Sequence, residues 1–285
     1  PGTNQPYGTH YWREDGFAVT DELKGDDSRI IMDRVIPFIR RAVREGKPFL
    51  AVIWFHAPHL PVLAEPRYRK LYAGKRGANP AYHGCITAMD EQLGRLRRTL
   101  RELGVAENTL LWFCSDNGPE GRAGRAPGSA GPFRGRKRSL FEGGVRVPGI
   151  LEWPAKIRKP RATSIPCCTS DYYPTILDIL GFEPKGQPKP LDGISLLPLI
   201  EGRMSERPRP IAFESRDQLA LSDNRYKLIR PGRGQPWMLF DLVEDPGEKH
   251  DLAAEKPQLV QRMKATLLEW QRSCTASRRG KDYHA

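Results

Sequence analysis

Two kinds of hydrophobic pattern alternate along this chain, and a third takes over near its end. From Ser28 to Arg44, Ile31, Met32, Val35, Ile36, Ile39 and Ala42 recur at helical spacing behind Asp26 and Asp27, a start that aspartate favours. Pro37 interrupts this pattern and predicts a kink or a late start. Gly46-Lys47-Pro48 then breaks the chain before Phe49-Leu50-Ala51-Val52-Ile53-Trp54-Phe55, a continuous apolar run of the kind that forms a strand buried on both faces. Tyr82 to Leu103 returns to helical spacing, with Ile86, Met89, Leu93, Leu96 and Leu100 on one face and Gly104 at its end. A second buried run, Thr109 to Cys114, follows, and Val145 to Trp153 is a third strand. Strand, helix and strand at this spacing imply parallel strands in an α/β sheet.

Asp171-Tyr172-Tyr173-Pro174 opens another helix, with Ile176, Leu177, Ile179 and Leu180 as its buried face. The pattern changes after about Arg207. Ile211 to Glu214, Leu219 to Ser222, Tyr226 to Arg230 and Trp237 to Asp241 are short runs separated by turn residues, with a helix from about Pro257 to Cys274. They predict a small antiparallel sheet and its covering helix. The expected architecture is α/β: a mostly parallel sheet flanked by helices over 1–206, then an α+β subdomain over 207–285. Residues 1–27 are turn-rich, and Pro1 to Pro6 read as a loop continuing something upstream. The tail Arg278 to Lys281 reads as frayed.

Composition narrows the function classes. The 285 residues are 39% hydrophobic and 28% charged, ordinary for a globular protein. No apolar run approaches a membrane span, and no signal peptide opens the chain. The five cysteines contain no C-x-x-C pair, which argues against a disulfide scaffold or a zinc site. A net charge of +12 favours polyanionic partners through long-range steering, although a solvated basic surface is the preferred account of it. The basic residues are not interleaved with aromatics, and no zinc-finger or basic-zipper spacing occurs, so nucleic acid is not expected.

Candidate chemistry gathers after the apolar runs. Thr109 to Cys114 empties into Ser115-Asp116-Asn117-Gly118, and in open α/β sheets ligands sit beyond the carboxyl ends of strands. Asp116 and Asn117 are hard oxygen donors suited to Ca²⁺ or Mg²⁺. An Asn-Gly pair also makes a turn, and the residues alone leave both readings open. His59 lies beyond the first apolar run, where parallel pairing would bring it to the same edge as Asp116, and its imidazole exchanges a proton near neutrality. Lys137 sits among Arg122, Arg125, Arg134, Arg136 and Arg138, either a solvated loop or a cation for an anionic substrate. The Gly128, Gly135, Lys137 spacing is not that of a Walker loop.

Taken in order, these pieces resemble the type I sulfatases of the alkaline phosphatase superfamily. The matching text is His56-Ala57-Pro58-His59-Leu60-Pro61, Met89-Asp90 with Gly94, Ser115-Asp116-Asn117-Gly118, Lys137 and Glu142-Gly143-Gly144-Val145-Arg146-Val147-Pro148. Leu239-Phe240-Asp241-Leu242, Glu244 to Glu248 and Asp251-Leu252 are similar to the family's C-terminal signature. The resemblance spans about residues 7 to 270. It implies Asp116 and Asn117 as two ligands to Ca²⁺ (Mg²⁺ being the lesser candidate), Lys137 as a sulfate-binding cation, and His59 as the group that contacts the sulfate or leaving group and assists its protonation. His56, Glu142 and Arg146 match the pattern as supporting structure.

The family's nucleophile is a formylglycine made from a C/S-x-P-x-R motif, and none of Cys85, Cys114, Cys167, Cys168 or Cys274 begins one. The early aspartate ligands and the upstream Lys and His are also absent, so the resemblance implies the C-terminal part of a sulfatase. The implied function is sulfuric ester hydrolysis of an aryl sulfate or sulfated carbohydrate, periplasmic or secreted, with oligomeric state unread. Two other readings stand beside it: a phosphoric or phosphonic ester hydrolase of the same superfamily, and a non-catalytic binder of sulfated polysaccharide.

Overall fold

A computed structural model of the chain describes residues 11–13, 15–19, 23, 25–121, 124, 126–187 and 189–282. Pro1 to Pro6, Arg122 and Arg125 lie outside the described residues. The chain divides into two compact units, one of residues 1–111, 122–128 and 151–155, the other of 112–121, 129–150 and 156–285.

The first unit is built on three helices, α1 (Asp27–Arg44), α2 (Pro66–Lys70) and α3 (Pro80–Glu102). Met32, Ile36 and Ile39 of α1 pack on Leu96 and Leu100 of α3. That stripe carries α1 through Pro37, which sits on its exposed face. Water there can satisfy the carbonyl that proline leaves unpaired, and the helix starts on time despite a penalty of ~3 kcal/mol. Asn79 caps α3, its side chain accepting the Tyr82 N–H at 3.0 Å, and Pro80 fills the first turn.

The run 49–55 departs from expectation. Phe49, Ile53 and Phe55 pack against the α1–α3 core, whereas Leu50, Val52 and Trp54 are 68%, 70% and 84% exposed. The side chains alternate as in a strand, yet no strand forms over these residues. A strand exists through a neighbour's hydrogen bonds, and among the described residues the backbone of 49–55 has none. One face is buried, not two.

The second unit opens with β1 (Leu111–Cys114), which starts at the boundary and pairs with β2 (Gly149–Glu152) in a two-stranded sheet. β1 is half-buried throughout. Between them Glu142–Val145 forms a one-turn helix, α4, so the third strand begins at Gly149, later than the apolar pattern suggested. Helices α5 (Tyr172–Leu180) and α6 (Leu197–Ile200) follow. Asp171, just before α5, is fully buried with Arg207, which donates to both carboxylate oxygens at 2.8 Å.

Strands β3 (Ile211–Ser215), β4 (Gln218–Ser222), β5 (Tyr226–Arg230) and β6 (Met238–Asp241) make an antiparallel meander, closed by α7 (Pro257–Arg278). Residues 278–281 thus begin as the ordered end of α7. Alternation decides its two faces. Leu219, Leu221, Leu228 and Leu239 meet Met263 and Leu267 of α7. Ala220, Ile229 and Phe240 point the other way, onto Leu140 and Phe141. The architecture is α/β with a small C-terminal antiparallel sheet, and that sheet backs the segment in which Lys137 lies.

Candidate functional site

Asp116 and Asn117 follow β1 directly, and their place is set by glycine. Gly118 N donates to Gly144 O at 2.9 Å, and a Cβ on Gly118 would lie 1.9 Å from Gly143 O. Gly143 N in turn donates to Arg134 O at 2.6 Å, while a Cβ there would stand 2.3 Å from Gly135 O. Only residues without a Cβ allow three backbone segments to lie this close. Lys137 N closes the knot by donating to Pro119 O at 3.1 Å. The strand end that carries Asp116 and Asn117 is therefore stitched to the loop that carries Lys137.

Lys137 shares a carboxylate with its neighbour Arg138. Its Nζ stands 3.5 Å from Glu120 Oε2, and Arg138 grips the same carboxylate through both guanidinium nitrogens. Hydrogen bonds from Arg138 and then from Gly121 N–H hold the Glu120 carboxyl down at about 2, so it is ionised at any physiological pH. Arg138 carries a φ of 74°, a strained backbone for a non-glycine residue in the position next to Lys137.

Beneath this loop lies a buried charge cluster that the sequence did not disclose. Lys227 of β5 points to the Phe240 face of the sheet, where a hydrophobe is expected, and is 0% exposed. Its Nζ lies 2.8 Å from Glu142 Oε1 and 3.2 Å from Glu248 Oε1. Glu248 Oε2 accepts the Glu142 N–H at 2.6 Å. Burial pushes the Glu248 carboxyl up, against the pull of Lys227. Arg146 reaches Glu142 Oε2 at 3.5 Å. A lysine in an alternating strand pattern (Tyr226-Lys227-Leu228-Ile229) reads as a solvent-facing residue, which is why Lys227 went unnoticed.

His59 belongs to the first unit. It is exposed at the tip of a loop, its N–H donating to His56 O at 2.7 Å. Its Nδ1 lies 2.6 Å from Leu60 O. A carbonyl can only accept, so Nδ1 carries the proton and Nε2 is the atom that can exchange one. His56 is held by Asp27, which accepts its backbone N–H at 3.0 Å and pairs with its Nδ1 at 2.7 Å. The four candidate residues thus come from different units, His59 from one and Asp116, Asn117 and Lys137 from the other. Among the described residues no three acidic, His or Cys side chains gather as a metal cluster, and no helix is long and apolar enough to cross a membrane.

Comparison with known proteins gives these parts a context. Residues 2–182 match the Sulfatase family, and residues 131–273 match the C-terminal family of N-sulphoglucosamine sulphohydrolase. A steryl-sulfatase of Mus musculus is 36% identical over 62% of this chain and 28% of its own length. A sulfatase of Formosa agariphila is 30% identical over 84% of this chain and 49% of its own. The crystal structure of Ps i-CgsB, solved also in complex with k-i-k-neocarrahexaose, superposes with a TM-score of 0.77 at 26% identity, over 90% of this chain and 56% of that one. The chain therefore spans about a quarter to a half of the curated relatives it matches.

Proposed function

The chain belongs to the sulfatase family, and on that premise we propose that it carries the metal- and sulfate-binding part of a sulfuric ester hydrolase site. The observation that carries the reading is the backbone knot of Gly118, Gly143 and Gly144, which ties the backbone segment bearing two hard-oxygen donors to the one bearing a lysine. Asp116 and Asn117 fit Ca²⁺ in kind, and Ca²⁺ better than Mg²⁺, because Ca²⁺ accepts six to eight oxygens in loose geometry. They do not complete its coordination, so further ligands must come from beyond this pair. A divalent cation there would act as a Lewis acid toward the transferring group.

Lys137 binds the sulfate in this reading by exchanging Glu120 for the substrate anion. Its charge, now 3.5 Å from Glu120 Oε2, would then face an oxygen where negative charge grows in the transition state. His59 uses Nε2 to protonate the departing alkoxide or phenoxide. The nucleophile, a formylglycine, lies outside this chain, since no cysteine here begins the required motif. A sulfated carbohydrate is the favoured substrate class, supported by the complex of Ps i-CgsB with its oligosaccharide and by the N-sulphoglucosamine sulphohydrolase match. Export to a periplasm or out of the cell goes with this reading, as does division into a catalytic part (1–206) and a C-terminal subdomain (207–285).

The test uses the full-length gene product with 4-nitrophenyl sulfate and 4-nitrophenyl phosphate. Preference for the sulfate is expected, and faster phosphate hydrolysis would move the reading to phosphoric ester chemistry. Asp116→Ala should lose both bound Ca²⁺ and turnover. Lys137→Ala should lower kcat on the order of 10²- to 10³-fold. Retained metal and activity in Asp116→Ala would remove Asp116 from the site. The 285-residue chain alone should show no turnover, and hydrolysis by it would contradict an outside nucleophile.

A further inference from the structure

The loop carrying His59 is tied down at both ends by two neighbouring aspartates at the start of α1. Asp27 holds its beginning: the carboxylate accepts His56 N–H at 3.0 Å through Oδ2 and meets His56 Nδ1 at 2.7 Å through Oδ1. Tyr11 donates its hydroxyl to the same Oδ1. Asp26 holds the end: its Oδ1 accepts Glu65 N–H at 3.1 Å. Both aspartates are buried, 5% and 3% exposed, on a helix whose next turns pack through Ile30, Met32 and Ile36.

Between those anchors few hydrogen bonds fix the loop. Among the described residues, the hydrogen bonds of residues 57–64 are His59 N to His56 O and His59 Nδ1 to Leu60 O. The position of His59 is thus inherited from His56, one turn away. A carboxylate that engages both the backbone and the ring of His56 leaves that residue neither free torsion about its own bonds nor a choice of tautomer, since Nδ1 must donate to the carboxylate. A group of this kind acts on chemistry through geometry, because misplacing a reacting atom by ~1 Å costs on the order of 10²-fold in rate.

We propose that Asp27 is a positioning residue for His59: by clamping His56 it sets where His59 Nε2 meets the leaving oxygen, with Asp26 securing the far end of the loop. The inference rests on the reading of His59 as the group that protonates the leaving oxygen. It assigns to α1 a share in the reaction.

Leaving-group dependence separates positioning from mere structural support. An acid is needed most when the leaving phenoxide is basic and hardly at all when it is a nitrophenoxide. The experiment measures kcat and KM of the full-length, Ca²⁺-loaded enzyme on phenyl sulfate and 4-nitrophenyl sulfate for wild type, His59→Ala, Asp27→Asn and Asp27→Glu. His59→Ala should lose on the order of 10²-fold more kcat on phenyl sulfate than on 4-nitrophenyl sulfate. Asp27→Asn should reproduce that pattern more weakly, about tenfold on phenyl sulfate and within about twofold on 4-nitrophenyl sulfate, with KM little changed. Asp27→Glu should recover part of the loss.

Equal losses on both substrates for Asp27→Asn, or none on either, would overturn the inference while leaving His59 in its role. If His59→Ala itself shows no leaving-group dependence, the underlying reading fails, and the inference with it. Should Asp27→Asn not fold, His56→Gln keeps the backbone bond to Asp27 but removes the ring. It is expected to show the same unequal loss, and an equal one would count against Asp27.

Discussion

Asp26 is a carboxyl group in an expensive place. Burial, opposed only in part by the Glu65 N–H, pushes it up to about 6, and its Oδ2 is buried without a hydrogen-bond partner among the described residues. A raised carboxyl binds its proton more tightly folded than unfolded. Its contribution to stability is therefore full below about pH 4, the ordinary carboxylate range, and is lost as pH rises through about 6. Asp26→Asn, which keeps an acceptor for Glu65 N–H, should stabilise the protein at pH 8 by on the order of 1–3 kcal/mol. The gain should fade below pH 6 and vanish near 4. Urea melts at four pH values decide this, and a pH-independent difference would show that the charge of Asp26 is not what matters. His59 was legible as a candidate because it follows the apolar run 49–55, and Lys137 because it sits in a basic cluster within a family motif. Asp27 was legible only as a helix start, since nothing local says that its carboxylate reaches a histidine 29 positions away.

The antiparallel sheet shows how an element serves the site without touching it. One face of β4, β5 and β6 is an ordinary leucine core with α7. The other carries Lys227, whose two carboxylate partners include Glu142 of the glycine-rich turn. Removing one member of a buried ionic cluster leaves the rest unpaired, typically at a cost of about 3–5 kcal/mol. Lys227→Met should therefore lower stability by about that amount, and further adding Glu142→Gln should cost much less than the first change. Chemical denaturation of Lys227→Met, Glu142→Gln and the double variant tests it, and additive losses would mean that the two residues are not energetically linked. Short runs between turn residues predicted all four strands of this sheet within a residue or two, because strand pairing there is local and hairpin-connected. The continuous apolar run 49–55 forms no strand, since among the described residues its backbone has no hydrogen-bonded neighbour.

At the scale of the whole molecule, charge is the property that needs no geometry. A net +12 from 46 basic and 34 acidic residues gives a field that draws in polyanions and weakens within a Debye length of about 8 Å at physiological salt. The protein should bind heparin with steep salt dependence, and Lys137→Ala should leave that dependence nearly unchanged, because it removes one basic residue of many. Elution from a heparin column across a salt gradient measures both. A large shift for Lys137→Ala would mean that polyanion binding is concentrated at the site, not spread over the surface.

The long helices, the C-terminal meander and the family followed from the order of residues, because each depends on local periodicity or on short motifs, and the same motifs make His59, Asp116, Asn117 and Lys137 candidates. The tertiary structure decided what distant segments do to one another. It showed that three glycines allow backbones to approach closely enough to join Asp116 and Asn117 to the Lys137 loop. It turned Lys227 inward to two glutamates, and it put Asp27 under His56. These are long-range contacts between groups that locally read as ordinary surface or turn residues, and no period or spacing encodes which partner such a group will find.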